Sequence, residues 1–218
     1  MQRLLASVLV LLVGTSLAAD TCSASDIQGL TKCYQAFVGG YGFNMTNIIP
    51  HYWDVHQVRT AWLDAQGVKI QPKVCQIGNA LINCIQRYSC LSQDTYLTLG
   101  ANTTEAPRWF IDKIATQWQC GAGYSTLISD YYCMAACREH RDAQLNACNT
   151  MMKQEIMNGT DPCVATNDMV TCQSKIYATY CDYNAGVFDC GQNVAVIKGT
   201  TPMCAPALQD CGKFQYYF

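Results

Sequence analysis

Charge is scarce in this chain of 218 residues, and histidine scarcer still: Lys, Arg, Asp and Glu together make up 14% of it, and there are three histidines. A soluble domain ordinarily carries about a quarter charged residues. No basic cluster stands out, and phosphate recognition needs concentrated positive charge, so nucleic acid and anionic membrane are not expected partners. Three histidines leave little material for a His-rich metal centre. Long hydrophobic runs are missing too. The stretch Leu4 to Val13 falls well short of the roughly 20 residues that a helix needs to cross a bilayer. It follows Arg3 and leads into Ser16 and Ala18, the small-residue spacing that a signal peptidase reads, so residues 1–18 are expected to be a secretory signal peptide. The C-terminal Phe214 to Phe218 is too short for a lipid-anchor signal, and no membrane insertion of the mature chain is expected.

What the chain has instead is sulfur. All 15 cysteines lie beyond the leader: Cys22, Cys33, Cys75, Cys84, Cys90, Cys120, Cys133, Cys137, Cys148, Cys163, Cys172, Cys181, Cys190, Cys204 and Cys211. Such a density after an export signal predicts maturation in an oxidising compartment and a disulfide framework. The odd count leaves one sulfur without an internal partner, and a disulfide-linked homodimer through it is an expectation. Surface polarity comes from elsewhere. Three N-x-[ST] sequons, at Asn44, Asn102 and Asn158, fall where loops are expected and predict N-linked glycans.

Apolar spacing is helical nearly throughout. Ile27, Leu30, Cys33 and Phe37 recur at steps of three and four behind a cap at Ser23 or Ser25. Val55, Val58, Trp62 and Ala65 repeat the pattern, as do Val74, Ile77, Leu81 and Cys84 or Ile85, with Gly78 weakening that helix locally. Trp109, Ile114 and Trp118 mark a helix within 104–120. Residues 125–157 read as one long helix, with Cys137, Arg141, Leu145, Cys148 and Met152 along a face, and a further helix spans 164–180. The Gly- and Pro-punctuated end reads as irregular, with extended segments around Val194 to Ile197. The fold class predicted is all-α, a disulfide-stapled helical bundle with an irregular C-terminal tail.

The cysteine intervals point to two tandem six-cysteine modules. Cys22-x10-Cys33 recurs as Cys137-x10-Cys148, and Cys75-x8-Cys84 as Cys163-x8-Cys172; Cys90 and Cys120 then answer Cys181 and Cys190. The expected division is 19–124 for the first module, 125–200 for the second and 201–218 for a cysteine-containing aromatic tail. Cys133, Cys204 and Cys211 fall outside the scheme, so the unpaired thiol is expected among those three. Cys133 and Cys137, one turn apart on one helix, are expected to reach outward to neighbouring helices.

A helical chain with C-x10-C, C-x8-C and C-x3-C intervals, an aromatic-rich core and scattered sequons resembles the cysteine-rich helical domains of secreted nematode and molluscan proteins, those of nematode chondroitin-proteoglycan type above all. The resemblance implies an extracellular, non-enzymatic role. The chain has no Ser-Gly dipeptide, the usual attachment point for glycosaminoglycan, so a proteoglycan role is not carried over.

Candidate chemistries are few. Cys137-Arg138-Glu139-His140-Arg141-Asp142, following Cys120-Gly121-Ala122-Gly123, is similar to the calcium loop and Cys-Cys-x-x-His-Asp helix of calcium-dependent secreted phospholipases. Ala136 replaces the first cysteine, and Arg141 turns Asp142 a further residue round the helix. A solvated helix face, with Glu139 and Asp142 paired to nearby arginines, is the preferred reading. His51, Asp54 and His56 lack the i,i+4 spacing of a zinc helix. Gly121 to Thr126 lacks the second glycine of G-x-S-x-G, and Ser125 reads as a helix cap. Gly39 to Gly42, without a lysine, reads as a turn. No catalytic, cofactor-binding or metal-binding residue is predicted. Thirteen tyrosines remain. Tyr177 and Tyr180 are expected at the core margin, and the Phe214 to Phe218 tail at an interface. The function expected is extracellular binding to a protein or receptor, or a structural role outside the cell. The alternatives are a secreted signal or toxin engaging a receptor and a calcium-dependent phospholipase-like hydrolase.

Overall fold

Ser23 opens the first helix with a reciprocal cap. Its backbone N–H donates to the Asp26 carboxylate at 3.0 Å, and the Asp26 N–H donates back to the Ser23 hydroxyl at 3.2 Å, two otherwise unpaired donors satisfied at once. From there a computed structural model, describing residues 21–213, runs as ten α-helices with no strand among those residues. The expected leader (1–18) and the aromatic tail (214–218) lie outside the described residues.

The order is α1 (Ala24–Gly39), α2 (Tyr52–Gln66), α3 (Gln71–Ile85), α4 (Gln93–Thr98), α5 (Ala106–Gln119), α6 (Tyr124–Ser129), α7 (Tyr131–His140), α8 (Asp142–Met157), α9 (Pro162–Tyr180) and α10 (Tyr183–Thr200). A short 3-10 turn follows α2, and two more follow α10. The bundle is helical and stapled by seven disulfides. It divides into two units, one ending at Cys120 and the other beginning at Gly121.

In the first unit α1, α3 and α5 pack together around an aromatic core. The Trp109 indole meets Tyr34, Phe37 and Tyr52 edge-on at centroid distances of 6.1, 6.4 and 5.3 Å, geometry that the ring quadrupoles favour. The phenols of Tyr34 and Tyr96, both fully buried, bond to each other. Gly78 has a packing purpose. A Cβ there would sit 2.5 Å from the Thr116 methyl, so the glycine that weakens α3 as a helix is what lets it approach α5.

The second unit packs α8, α9 and α10 on one another around Met152, Met169, Val170, Val194 and Ile197 with three buried cysteines, Cys148, Cys190 and Cys204. Two expectations change here. The helix read over 125–157 is three helices, broken at Asp130 (φ −107°, ψ 11°) and Arg141 (φ −115°, ψ 14°), backbone that lies off the helical region. The end read as irregular and extended is α10. Asp182 caps it, accepting from the Ala185 N–H at 2.9 Å, and Ala185, Phe188, Val194 and Ile197 are buried along it. Glycines and valines lowered its apparent propensity, and burial outweighs them.

Every bridge closes within one unit. In the first, numbering the cysteines in order, the first joins the fifth (Cys22–Cys90), the second the fourth (Cys33–Cys84) and the third the sixth (Cys75–Cys120). In the second, Cys133–Cys181, Cys148–Cys172 and Cys163–Cys204 repeat that order. An additional bridge, Cys190–Cys211, ties α10 to the last turn. Spacing had put Cys137 and Cys190 in the first and sixth places of the second set; Cys133 and Cys204 hold them. The unpaired thiol is therefore Cys137, and not Cys133, Cys204 or Cys211. Residues 201–213, expected as a separate tail, are held to α9 and α10 by two of the bridges.

Cys137 is fully buried, and burial pushes its thiol up to about 11. A sulfur so placed is not presented at the surface. Alkylation of the native protein is expected to leave this thiol unmodified, and denaturation without reductant to expose one reactive thiol on the peptide containing Cys137. Labelling at any other cysteine, or a mass per particle that halves on reduction, would contradict the pairing.

Candidate functional site

The residues singled out as chemical candidates do not converge. His140 ends α7 and Asp142 begins α8, so the break at Arg141 separates the two. The exposed His140 ring lies beside Tyr180, centroids 6.3 Å apart. Asp142 accepts from the Asn146 amide at 3.0 Å, and the expected pairings of Glu139 and Asp142 with arginines are not among the ion pairs of the described residues. Ser125 lies inside α6, whose N-cap is Gly123, so the cap expected of Ser125 is not formed. Gly39 to Gly42 closes α1 in a turn, Gly42 adopting φ 89°. Among the described residues no group of three His, Cys, Asp or Glu side chains could hold a metal ion, and no helix is long and apolar enough to cross a membrane.

His51 and His56 part company. His51 caps α2 with its ring in solvent, Nδ1 3.2 Å from the carboxylate of Glu105, the N-cap of α5. His56 is buried against Tyr52 and Trp53, and desolvation, with Arg59 adding to it, lowers its titration to about 4. It stays a neutral packing group at physiological pH.

The joined N-terminal ends of α2 and α5 make the most distinctive surface of the first unit. The Trp53 ring is exposed, with the Arg108 guanidinium 4.5 Å from its centroid and Tyr52 and His56 edge-on at 5.2 and 5.4 Å. Beneath lies the Arg59–Asp112 pair, side chains 11% and 8% exposed, with Arg59 Nη1 donating to Asp112 Oδ2 at 3.1 Å and Nη2 donating to Oδ1. Burial opposes the Arg59 charge, but the facing Asp112 carboxylate outweighs it and holds the guanidinium above its ordinary value. This bidentate pair fixes the spacing of the two helices. Sequence reasoning passed over both residues because each interrupts an apolar stripe on its own helix; only the fold brings them together.

The second unit has a polar seam. Asn193 Nδ2 donates to Asp189 at 3.1 Å, Ser174 Oγ donates to the same carboxylate at 3.2 Å, and Gln173 Nε2 donates to Asn149 at 3.1 Å. Arg138 Nε donates to the buried Tyr177 hydroxyl at 3.2 Å. Desolvation raises the Asp189 carboxyl from 3.8 to about 6, although its residue keeps some solvent access, with Ser174, Arg138 and Asn193 holding the rise in check. These are groups spent on one another across helices.

All three sequon asparagines are exposed and lie outside helices, the placement that a glycan requires.

Two outcomes are expected. Arg59→Ala should lose about 3–5 kcal/mol of stability in denaturant unfolding, since it strands the Asp112 carboxylate, whereas Arg59→Met with Asp112→Leu should recover most of the loss. Asp189 binds a proton more readily folded than unfolded, so its contribution to stability falls as pH rises from about 4 to about 6. Asp189→Asn should therefore compare better with wild type at pH 7.5 than at pH 4.5 in thermal melts; an equal difference at both would refute the raised carboxyl.

No protein-family model, no curated protein and no solved structure matches the chain.

Proposed function

We propose that this is a secreted, N-glycosylated, non-catalytic protein built from two copies of a three-helix, three-disulfide module, and that it acts by binding an extracellular protein or receptor. The bridges favour an extracellular setting, where disulfides persist. The repeated bonding order favours the two copies: six cysteines admit about 15 pairings, and the same one occurs in each unit.

The observation that carries the binding reading is Trp53. A large aromatic, 38% exposed, lies at the surface under the Arg108 guanidinium, supported by the bidentate Arg59–Asp112 pair and an edge-on aromatic core. Tryptophan and arginine are the side chains that most often anchor protein interfaces, and a rigid backing lowers the ordering cost on binding. A structural component of an extracellular matrix would use the same surface.

The test is affinity capture from the extracellular fraction of the expressing tissue with wild type, Trp53→Ala and Tyr132→Ala as baits. A partner retained by wild type and Tyr132→Ala but lost from Trp53→Ala is the expected result. Equal capture by all three baits would overturn the Trp53 site. The hydrolase reading is tested with phosphatidylcholine vesicles and calcium. No fatty acid release is expected, and calcium-dependent release that His140→Gln abolishes would replace the binding reading.

A further inference from the structure

Five large aliphatic or thioether side chains are exposed among the described residues: Ile48, Leu97, Met157, Val164 and Met203. Singly, such residues need no explanation. Their positions do. Ile48 follows Asn44 by four residues, and its loop is pinned to the approach of Asn102. The Ile49 N–H donates to Leu99 O at 2.9 Å, the Gly100 N–H donates to Leu97 O at 3.0 Å, and a Cβ on Gly100 would sit 2.7 Å from Ile48 Cγ2. Ile48 and Leu97 thus lie between two sequons of the first unit.

In the second unit Met157, 77% exposed, directly precedes the sequon at Asn158 in the turn that leads to α9, and Val164 follows it in the first turn of α9. The Cys163–Cys204 bridge, with Cα atoms 4.9 Å apart, brings Val164 beside Met203. The remaining exposed hydrophobics, Trp53, Tyr132 and Tyr183, are aromatic.

We propose that N-linked glycans on Asn44, Asn102 and Asn158 cover these two aliphatic patches, so that the protein presents its aromatic surface and not its aliphatic ones to partners. The inference rests on the glycoprotein reading above and adds a task for the sugars. Attachment needs no redox partner. The asparagine Nδ2 attacks the anomeric carbon of a lipid pyrophosphate-linked oligosaccharide, the carbon–oxygen bond to pyrophosphate breaks and its electron pair leaves with the phosphate, and Nδ2 gives up one proton. At Asn102 the neighbouring groups leave that nitrogen alone: the Thr104 N–H, the Thr104 hydroxyl and the Glu105 N–H all donate to Oδ1. Sugar rings laid over Met157 and Ile48 remove apolar surface from water without adding charge to a chain that has little.

The experiment uses the full chain secreted from a glycosylating eukaryotic host. Intact mass is measured before and after native treatment with a peptide N-glycosidase, and anilinonaphthalene sulfonate fluorescence and sedimentation are read on both samples. The expected result is loss of glycan mass, dye fluorescence that rises roughly twofold or more as apolar patches are bared, and self-association. The rise should vanish in a variant carrying Ile48→Ser, Leu97→Ser, Met157→Ser, Val164→Ser and Met203→Ser. Glycan mass without a change in dye binding overturns the covering role and leaves the glycoprotein reading standing, as does a rise that the serine variant retains. Absence of glycan mass overturns both.

Discussion

Closure of helices by sulfur is the constraint on which the rest depends. One bridge in each unit joins two packed helices, Cys33–Cys84 tying α1 to α3 and Cys148–Cys172 tying α8 to α9, and another runs from the second of these to the end of a third, Cys75 to Cys120 after α5 and Cys163 to Cys204 after α10. The loops closed range from 21 to 68 residues in sequence separation. Each such closure restricts the unfolded chain by about 2–4 kcal/mol, with sums that do not add. A frame held this way can tolerate what a core-driven bundle could not: glycines inside α3 and α10, and breaks at Asp130 and Arg141 that divide 124–157 into three short helices.

Within the same frame the two units fill their interiors differently. The first uses edge-to-face aromatics around Trp109, the second methionine, valine and sulfur. Rigid rings set edge-on hold a definite shape, and the first unit is where an aromatic reaches the surface with an arginine laid over it. The second spends its polar side chains on internal seams, Asp189 with Ser174 and Asn193 and Arg138 with Tyr177. Scaffold and presentation are thus divided unevenly between halves that share one bonding order.

Helices with a regular stripe were legible in the sequence. The spacing of Leu30, Cys33 and Phe37, of Val74 and Leu81, and the cap at Ser23 belong to local chemistry and survive folding intact. What was not legible depends on partners distant in sequence. Arg59 and Asp112 look like interruptions until they meet 53 residues apart. The helix α10 hides behind glycines because its stability comes from packing on α9. Cysteine spacing pointed to Cys137 as the first sulfur of the second set, yet the bond is made by Cys133, one helical turn earlier, because at that scale either sulfur lies on the same face and only three-dimensional reach decides. The Trp53 surface was invisible for the same reason: Arg108 belongs to another helix.

That neighbouring pair of sulfurs leaves the second unit with an odd thiol inside it. Cys137 stands one turn from Cys133 on α7 and is enclosed at 0% exposure. Thiol–disulfide exchange proceeds through a thiolate that can reach a bridge, and burial holds this sulfur protonated, so the packing that encloses Cys137 also keeps the one reduced sulfur from reshuffling the bridges of its unit.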